Sequence, residues 1–594
     1  MKSNRFSIRS NRNTFFFLCG LFLLLYGNLV YLQAFRGAYY YRLSESNRIR
    51  IVPKKAPRGR ILDRRGKVLV DNRPTYTISL IPFEFRKTSE ILTRLDNLLE
   101  ISEEEIDKAL EKGGLTRYSP VPIKRFVDFE TVSQLQEHLL DYPGVIYQVD
   151  PVRTYPWRSH AAHAIGYIGE INVPELRALF TKGYKAGDDL GKLGIEKSYD
   201  WYLRGRDGAE YLEVRVTGEV VGAVEGRPNI PSIPGADIVS TLDLELQAYA
   251  ETLMTPVNRG VFIAMDPKTG EVYSMVSRPS FDLELFTQTI TDSIWLLLND
   301  KEMHPLLNRS TQGTYPPAST FKLITVMGAV DEGIANASTR LEPCHGSIWY
   351  GDRWFRCWDR KGHGNINLIE AIAQSCDVYF YQLALYLGLD KWSELSTASG
   401  FGKKTGIDIP PEATGFVPDR EYFNKRFGGR SGWGGGVQLN LTIGQGELLT
   451  TPIQIAQYYC AIANGGTIYS PRLVKEIRPP MDRPLVVEPT ITGRLPASSE
   501  AIRIMKKGLV DAVNAPLGTG AWAKLPDITV AGKTGTAENP HGEDHAWFVG
   551  YAPAEDPRVV VLLLVEQGGS GGAWAYLPRD FIWYFLNVFE PRAS

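Results

Sequence analysis

The chain reads as an α+β protein, with an antiparallel sheet and helices in its C-terminal part, an extended α+β pedestal ahead of that, and one N-terminal transmembrane helix. Three observations predict this architecture. An uncharged apolar run fills Thr14 to Phe35. Strand signals cluster at residues 261–277 and again at 528–566, with helical patterning between them. Finally, 594 residues with 43% hydrophobic content exceed what one core can organise, so several domains are expected. The net charge of -1 and the pI near 6.7 supply no basic stripe for a phosphate backbone, which sets nucleic-acid partners aside.

The first element is the anchor. "TFFFLCGLFLLLYGNLVYLQAF" is long enough at helical rise to cross the ~30 Å hydrocarbon core of a bilayer. A cleavable signal peptide is the rival reading, but its apolar region would be shorter, about 7–15 residues, and no clear A-x-A site follows. Lys2, Arg5, Arg9 and Arg12 precede the helix, whereas Arg36, Arg42, Arg48, Arg50, Lys54 and Lys55 follow it, so a count of positive charges does not orient it. Residues 1–13 are the expected tail and 14–35 the span.

The pedestal is expected over residues 36–235. "RIRIVPKKAPRGRILDRRGKVLVDNRPTYTISL" carries β-branched runs broken by Pro-Arg-Gly and Arg-Arg-Gly, which suits strands joined by tight turns. "SEILTRLDNLLEISEEEIDKALEKGG" has apolar residues at helical spacing, with Glu103 to Glu105 opening the second of two helices. Proline punctuation around Pro234 then marks a boundary, and the last domain runs from 236 to 594. Its strands include a hairpin at "VFIAMDPKTGEVYSMVS" and three late strands at "ITVAGKTGTAE", "HAWFVGYAP" and "RVVVLLLVE", closed by a helix at "PRDFIWYFLNVF". One antiparallel sheet built from both ends of the domain accounts for them.

The chemistry lies between those ends. In "GTYPPASTFKLITVMGAV", Ser319 precedes Lys322 by one helical turn, so a neutral Lys322 amine could take the proton of the Ser319 hydroxyl. Such a tetrapeptide also arises from a helix-capping serine and an exposed lysine, so its meaning depends on partners elsewhere. Ser375-Cys376-Asp377 and Lys533-Thr534-Gly535 supply a second proton carrier and a cation. K-T-G recurs at Lys268-Thr269-Gly270, in the hairpin turn, and at Lys404-Thr405-Gly406, in a loop; only the copy at 533 follows a strand and continues through Thr536. The P-loop's first glycine would fall at Asp527, which argues against a nucleotide triphosphatase.

S-x-x-K, S-x-N and K-T-G, in that order, form the motif set of penicillin-binding proteins and serine β-lactamases. With "NRIR", "APRGRILDRRG", "GYIGEI", "GIEKSYDWYLRGRDG", "YPPASTFK", "SCDVYFY", "LTIGQGELLTTPIQIA" and "AGKTGTAE", the chain resembles the class B penicillin-binding proteins, and within them the cell-elongation subgroup, over nearly its whole length. The resemblance implies a penicillin-binding, serine β-lactamase-like transpeptidase domain that cross-links peptidoglycan stem peptides during elongation and shape maintenance and is the target of β-lactam antibiotics. It implies that Ser319 attacks the penultimate D-alanine carbonyl, that Lys322 is the general base, and that Ser375 relays the proton. It further implies that Asp377, Lys533, Thr534, Gly535 and Thr536 line the substrate site, with Lys533, Thr534 and Thr536 on the terminal carboxylate and the N–H groups of Ser319 and Thr536 on the oxyanion. One departure stands out: Asp377 replaces the motif's usual asparagine, and a carboxylate beside Lys322 favours the ammonium over the free base.

The resemblance also places the tail inside the cytoplasmic membrane and residues 36–594 outside it. It implies a membrane glycosyltransferase of the shape, elongation, division and sporulation family and elongation-complex proteins as partners, contacted through anchor and pedestal; Asn28 and Gln33 are polar candidates in the anchor. A β-lactamase or β-lactam sensor would share the motifs without needing the pedestal, and a scaffold that only activates a glycosyltransferase would not need the intact nucleophile, base and carboxylate clamp. No cofactor is required for acyl transfer.

Cys376 raises a separate expectation. In an extended or looped Ser-x-Asp, residues 375 and 377 point one way and the thiol the other. With Cys344, Cys357 and His363 it forms C-x12-C-x5-H-x12-C, a complete tetrahedral set for structural Zn2+, with His345, Asp352 or Asp359 as alternates and Cys460 left outside. The resemblance is consistent with a metal beside the active site in this region. A Cys344–Cys357 disulfide, favoured by an oxidising compartment, and free thiols are the alternatives.

Overall fold

The computed structural model describes residues 5–40, 49–112, 120–214, 220–288, 290–429 and 433–593; Lys2, Arg42 and Arg48 of the flanking charges lie outside the described residues. The N-terminal helix Arg5–Val30 (α1) continues as a π-helical turn at Tyr31–Phe35. Residues 12–35 are long and apolar enough to cross a membrane, and none of that span is buried against protein.

The rest separates into two compact units, one of residues 1–57, 74–152 and 206–233, the other of 58–73, 153–205 and 234–594. In the first unit, Ile49–Lys54 and Gly208–Val214 pair antiparallel from Ile49↔Glu213 to Lys54↔Gly208, and Val220–Ala223 extends the sheet. Tyr76 to Leu80 pair with Val121–Val127, and helices Ser89–Leu99, Glu103–Lys112 and Phe129–Glu137 close a core around Ile78, Leu80, Leu95, Ile106 and Leu135. The acidic triplet does begin its helix. Glu105 accepts hydrogen bonds from the backbone N–H and hydroxyl of Ser102 (both 2.9 Å), a capping arrangement that satisfies donors the helix leaves open.

The second unit includes 58–73 and 153–205, stretches that sequence pattern groups with the pedestal. A buried ionic cluster explains their place there. Arg58 donates to Glu196 (2.8 Å) and Asp200 (2.9 Å), and Arg153 Nε donates to Glu196 (2.6 Å). Removing one partner of such a cluster leaves an uncompensated buried charge, at a typical cost of ~3–5 kcal/mol. Ile61–Leu62 (β1) lies parallel to Asp237–Ser240 (β2), whose other side pairs antiparallel with Val474–Arg478.

The principal sheet comes from both ends of the last domain, as the strand signals predict. Gly260–Met265 (β3), Val272–Arg278 (β4), Ala531–Ala537 (β5), His545–Ala552 (β6) and Val559–Val565 (β7) stand in the order β4-β3-β7-β6-β5, all antiparallel. Lys268-Thr269-Gly270 fills the β3–β4 turn, with Gly270 at φ +73°. β7 is apolar throughout because both of its faces are covered. Val559, Val561, Leu563 and Val565 face one cluster with helix Tyr576–Tyr584, while Val560, Leu562 and Leu564 face another that holds helices Lys322–Asp331 (α2), Asp377–Leu387 (α3), Pro452–Ala463 (α4) and Ser499–Asn514 (α5). Burying each such side chain contributes about 1.5–3 kcal/mol. α4 starts with a Thr451–Gln454 capping box and Pro452 at its first turn.

Candidate active site

Ser319 sits on a short 3-10 turn, Ala318–Phe321, that runs directly into α2. Ala318, buried and at φ +50°, holds a left-handed conformation that a non-glycine residue adopts only under constraint. The constraint is visible: the Ala318 N–H donates to the Gly444 carbonyl (2.9 Å), and a Cβ on Gly444, itself at φ +73°, would lie 2.0 Å from the Ala318 carbonyl oxygen. The segment 441–446 therefore presses against the serine turn and needs glycine at 444. On the other flank, β5 passes so close that a Cβ on Gly535 would come 3.2 Å from Ala318 Cβ. Trp547 Nε1 donates to the Pro316 carbonyl (3.1 Å), and the Tyr459 hydroxyl to the Thr320 carbonyl (3.0 Å).

Lys322 is the first residue of α2 and is fully buried. Its ammonium spends three hydrogen bonds, on Asp377 Oδ1 (2.7 Å), the Ser375 carbonyl (2.8 Å) and Ser375 Oγ (3.2 Å), with the Phe380 ring centroid 5.2 Å away. The expected reach of its amine toward Ser319 is thus taken up by the second motif in this structure. The physical reason is the carboxylate: Asp377 gives the amine a charged acceptor that an asparagine would not. Ser375 is at φ +57°, so the chain reverses there before α3 begins at Asp377. At that helix N-terminus Asp377 meets the positive end of the dipole, and its second oxygen accepts the Trp358 N–H (2.8 Å).

Lys533 lies on β5, the outermost strand of the sheet, beside this group. It too is fully buried, and among the described residues its one hydrogen bond runs to the Thr534 carbonyl at 3.3 Å. Burial and the charge of Lys322 push its pKa well below the ordinary lysine value, and Asp377 only partly opposes them. Thr534 Oγ1 bonds Thr519 Oγ1 (2.9 Å), and the Thr536 carbonyl accepts Gln445 Nε2 (3.2 Å), while the Thr536 side chain is exposed. A lysine with a depressed folded-state pKa binds fewer protons folded than unfolded, so stability rises with pH between that value and 10.5. Lys533→Met, which keeps the length and drops the amine, is expected to raise the melting temperature at neutral pH by roughly 2–8 °C and to flatten this slope. Calorimetry across pH checks it, and an unchanged or lower midpoint contradicts it.

Cys376 turns away from Lys322 and into a cluster with Cys344, Cys357 and His363, whose donor atoms all lie within 4.8 Å of one another. His363 Nδ1 is 3.7 Å from Cys344 Sγ and 3.5 Å from Cys357 Sγ, and none of the cysteines is in a disulfide. Hydrogen bonds from the Cys376 thiol and from His363 pull Cys344 and Cys357 toward thiolate, and Cys376 is correspondingly raised. Burial disfavours the charged His363 ring, but Cys357 and Cys344 together hold it above its usual range. Asp352 and Asp359, the alternates, are outside the cluster, as are His345 and the fully buried Cys460.

Sequence reasoning did not single out Trp358, Gly444 or Gln445. Trp358 and Gln445 lie beside the motifs, but they act through a backbone N–H and a carboxamide that carry no motif of their own. The other K-T-G copies have partners of their own: Lys268 pairs with Asp556 (2.5 Å), and Thr405 bonds Glu412 (2.6 Å).

A five-stranded antiparallel sheet, a serine at the head of a core helix one turn before a buried lysine, and a lysine strand along the opposite side together define a penicillin-recognising serine transpeptidase fold. Residues 260–576 match the penicillin binding protein transpeptidase domain and residues 53–240 the penicillin-binding protein dimerisation domain. Peptidoglycan D,D-transpeptidase MrdA of Haemophilus influenzae is 33% identical over 98% of this chain and 93% of its own length. The penicillin-binding protein 2 of Helicobacter pylori, solved in complex with MreC, superposes with a TM-score of 0.78 at 28% identity over 91% of this chain and 99% of that one. A chain of a peptidoglycan synthase complex, solved to show how polymerization and crosslinking are coordinated, gives a TM-score of 0.70 at 30% identity over 98% and 99%. The chain belongs to the penicillin-binding protein 2 family.

Proposed function

We propose that this chain is a peptidoglycan D,D-transpeptidase that cross-links stem peptides during cell-wall elongation through an acyl ester on Ser319. The observation that carries the reading is the convergence on one buried amine: Lys322, one turn after Ser319, binds both Ser375 and Asp377. The names and activities of the relatives support the same reading.

In this mechanism the Ser319 oxygen attacks the penultimate D-alanine carbonyl, with the N–H groups of Ser319 and Thr536 on the developing oxyanion. The C–N bond to the terminal D-alanine breaks, the amine leaves with a proton, and a neighbouring stem-peptide amine later displaces Ser319 from the ester. Asp377 pairs with the Lys322 amine at 2.7 Å, and Lys533 is the group biased toward a free amine. A substrate carboxylate docked on Lys533, Thr534 and Thr536 reverses that bias, since it favours the charged form. Lys322 accepts the proton from Ser319 and passes it through Ser375, to which it is bonded, to the leaving amine. Labelled penicillin tests the class. A label that persists on Ser319 is expected, whereas rapid loss would indicate a hydrolase and no label a scaffold.

The Cys344, Cys357, His363 and Cys376 set is proposed to hold a structural Zn2+. Tetrahedral Zn–S and Zn–N bonds of about 2.3 and 2.0–2.1 Å put ligand atoms roughly 3.5–3.8 Å apart; the Nδ1–Sγ separations of 3.5 and 3.7 Å meet that requirement. Bound there, the ion supplies a crosslink that fixes the loop carrying Ser375 and Asp377. Elemental analysis of protein purified without a metal-binding tag is expected to find about one zinc per chain, and Cys376→Ser to lose most of it. No zinc in the wild type, or an undiminished content in the variant, removes the proposal.

The helix at 12–35 is proposed to anchor the chain in the cytoplasmic membrane with the tail inside and residues 36–594 outside, where peptidoglycan is assembled. Residues 36–235 are proposed as the pedestal and 236–594 as the transpeptidase domain. Anchor and pedestal are proposed to meet a membrane glycosyltransferase of the shape, elongation, division and sporulation family and other elongation proteins. The complexes solved for similar proteins support this.

A further inference from the structure

Beside the active site runs a row of side chains that the acyl transfer does not use. Ser347–Tyr350 and Arg353–Arg356 pair as a hairpin, from Ser347↔Arg356 to Tyr350↔Arg353, and the Cys357 N–H to the Gly346 carbonyl (2.9 Å) carries the ladder one step further. Side chains alternate along a ladder, and burial here follows that rule: Phe355 and Cys357 are buried, whereas Trp354, Arg356 and Trp358 are exposed. Trp349, directly opposite Trp354, shares the outer face. Trp349, Trp354 and Trp358 are 53%, 60% and 57% exposed, an unusual display of the most apolar-rich side chain unless something covers it.

The rings are also fixed before any ligand arrives. The Trp358 indole N–H donates to the Gln374 carbonyl (3.0 Å) and the His363 ring packs against it with centroids 5.4 Å apart, so its polar edge is occupied and the ring is held while more than half of it stays exposed. Trp349 and Trp354 brace each other edge-to-face, with centroids 5.3 Å apart at 71°. Arg356, between Trp354 and Trp358 in the row, forms no ion pair among the described residues. At strand rise the row extends about 13 Å from Trp354 to Trp358, and it ends at the active site, because the Trp358 N–H is bonded to Asp377.

A rigid, open indole face suits a pyranose ring, which presents C–H groups on its faces and hydroxyls on its rim; ring fixation lowers the entropy cost of binding. A guanidinium with no ion pair among the described residues suits a carboxylate. Resting on the transpeptidase reading above, the molecule that leaves this active site along the row is the saccharide strand to which the reacting acidic stem peptide is attached. The geometry points to a glycan platform: Trp349, Trp354 and Trp358 stack on the N-acetylhexosamine strand of peptidoglycan while Arg356 takes a carboxylate of its peptide, so the enzyme reads sugar as well as peptide.

The test uses the full-length protein in detergent, with peptide-free glycan strands as one probe and labelled penicillin as the other. Wild type is expected to bind the stripped strands, and a Trp349→Ala, Trp354→Ala double variant to lose roughly tenfold or more in affinity while its penicillin acylation stays within about twofold. Arg356→Ala is expected to weaken binding only of strands that still carry peptide. Absence of strand binding by wild type, or equal binding by the double variant, overturns the platform. If the double variant also labels poorly, Trp354→Phe decides: strand binding kept supports the platform, and loss as large as alanine's overturns it. Loss of a co-purifying protein with strand binding intact assigns the face to a protein partner and likewise overturns it. A wild type that binds strands but takes no penicillin label would instead refute the transpeptidase reading while leaving the platform standing.

Discussion

Ser319→Ala is expected to abolish covalent labelling by penicillin, a loss beyond detection and not a partial slowing, and to leave the melting temperature within about 2 °C of wild type. The substitution removes one oxygen of a partly buried residue from a turn whose conformation is set elsewhere, by the Ala318–Gly444 hydrogen bond and the close passage of β5. Among the described residues no hydrogen bond holds that oxygen, so function and stability should separate cleanly. Mass spectrometry of intact protein after exposure to penicillin checks it: an adduct on the alanine variant would move the nucleophile to another residue.

Lys322→Ala is expected to do the opposite, losing both at once. The fully buried amine holds the Ser375 loop through three hydrogen bonds, and its removal leaves Asp377, 7% exposed, without its cation. Breaking a buried pair from one side typically costs ~3–5 kcal/mol. Acylation should fall by at least about a thousandfold, because both the proton acceptor and the placement of Ser375 are gone. The double variant Lys322→Ala, Asp377→Ala should recover part of the lost stability but none of the acylation. Chemical denaturation and stopped-flow labelling read the two quantities separately, and a double variant no more stable than the single one would show that the ion pair is not what the single variant breaks.

How far the sequence leads depends on whether a feature has a period or a motif. The principal sheet was legible because β3 and β4 flank a turn with Pro-Lys-Thr-Gly and β7 is a continuous apolar run. The Cys/His cluster was legible from spacing, since its donors are side chains of distinctive type. The orientation of Lys322 was not: helical periodicity places it one turn from Ser319, but the choice between Ser319 and Asp377 is decided by a charge contributed from 55 positions away. Trp358 holds Asp377 through a backbone N–H, a group every residue but proline owns. Nor does any local pattern reveal that 58–73 join the sheet of the second unit, because β1 is only two residues long and its pairing with β2 is set by burial of Ile61 and Ile238.

That pairing limits how such a chain can be rearranged in evolution. β2 has a neighbour on each side, β1 and the 474–478 strand. A polypeptide starting at residue 236 would keep only the second and expose Ile238 and Val239 along an open edge, a template on which another copy can add itself. Proteolytic release or gene fusion that takes the C-terminal domain alone would therefore yield a self-associating fragment. A recombination event that preserves a monomeric catalytic unit must carry the early 58–73 segment with it, so catalyst and tether are inherited as one indivisible block.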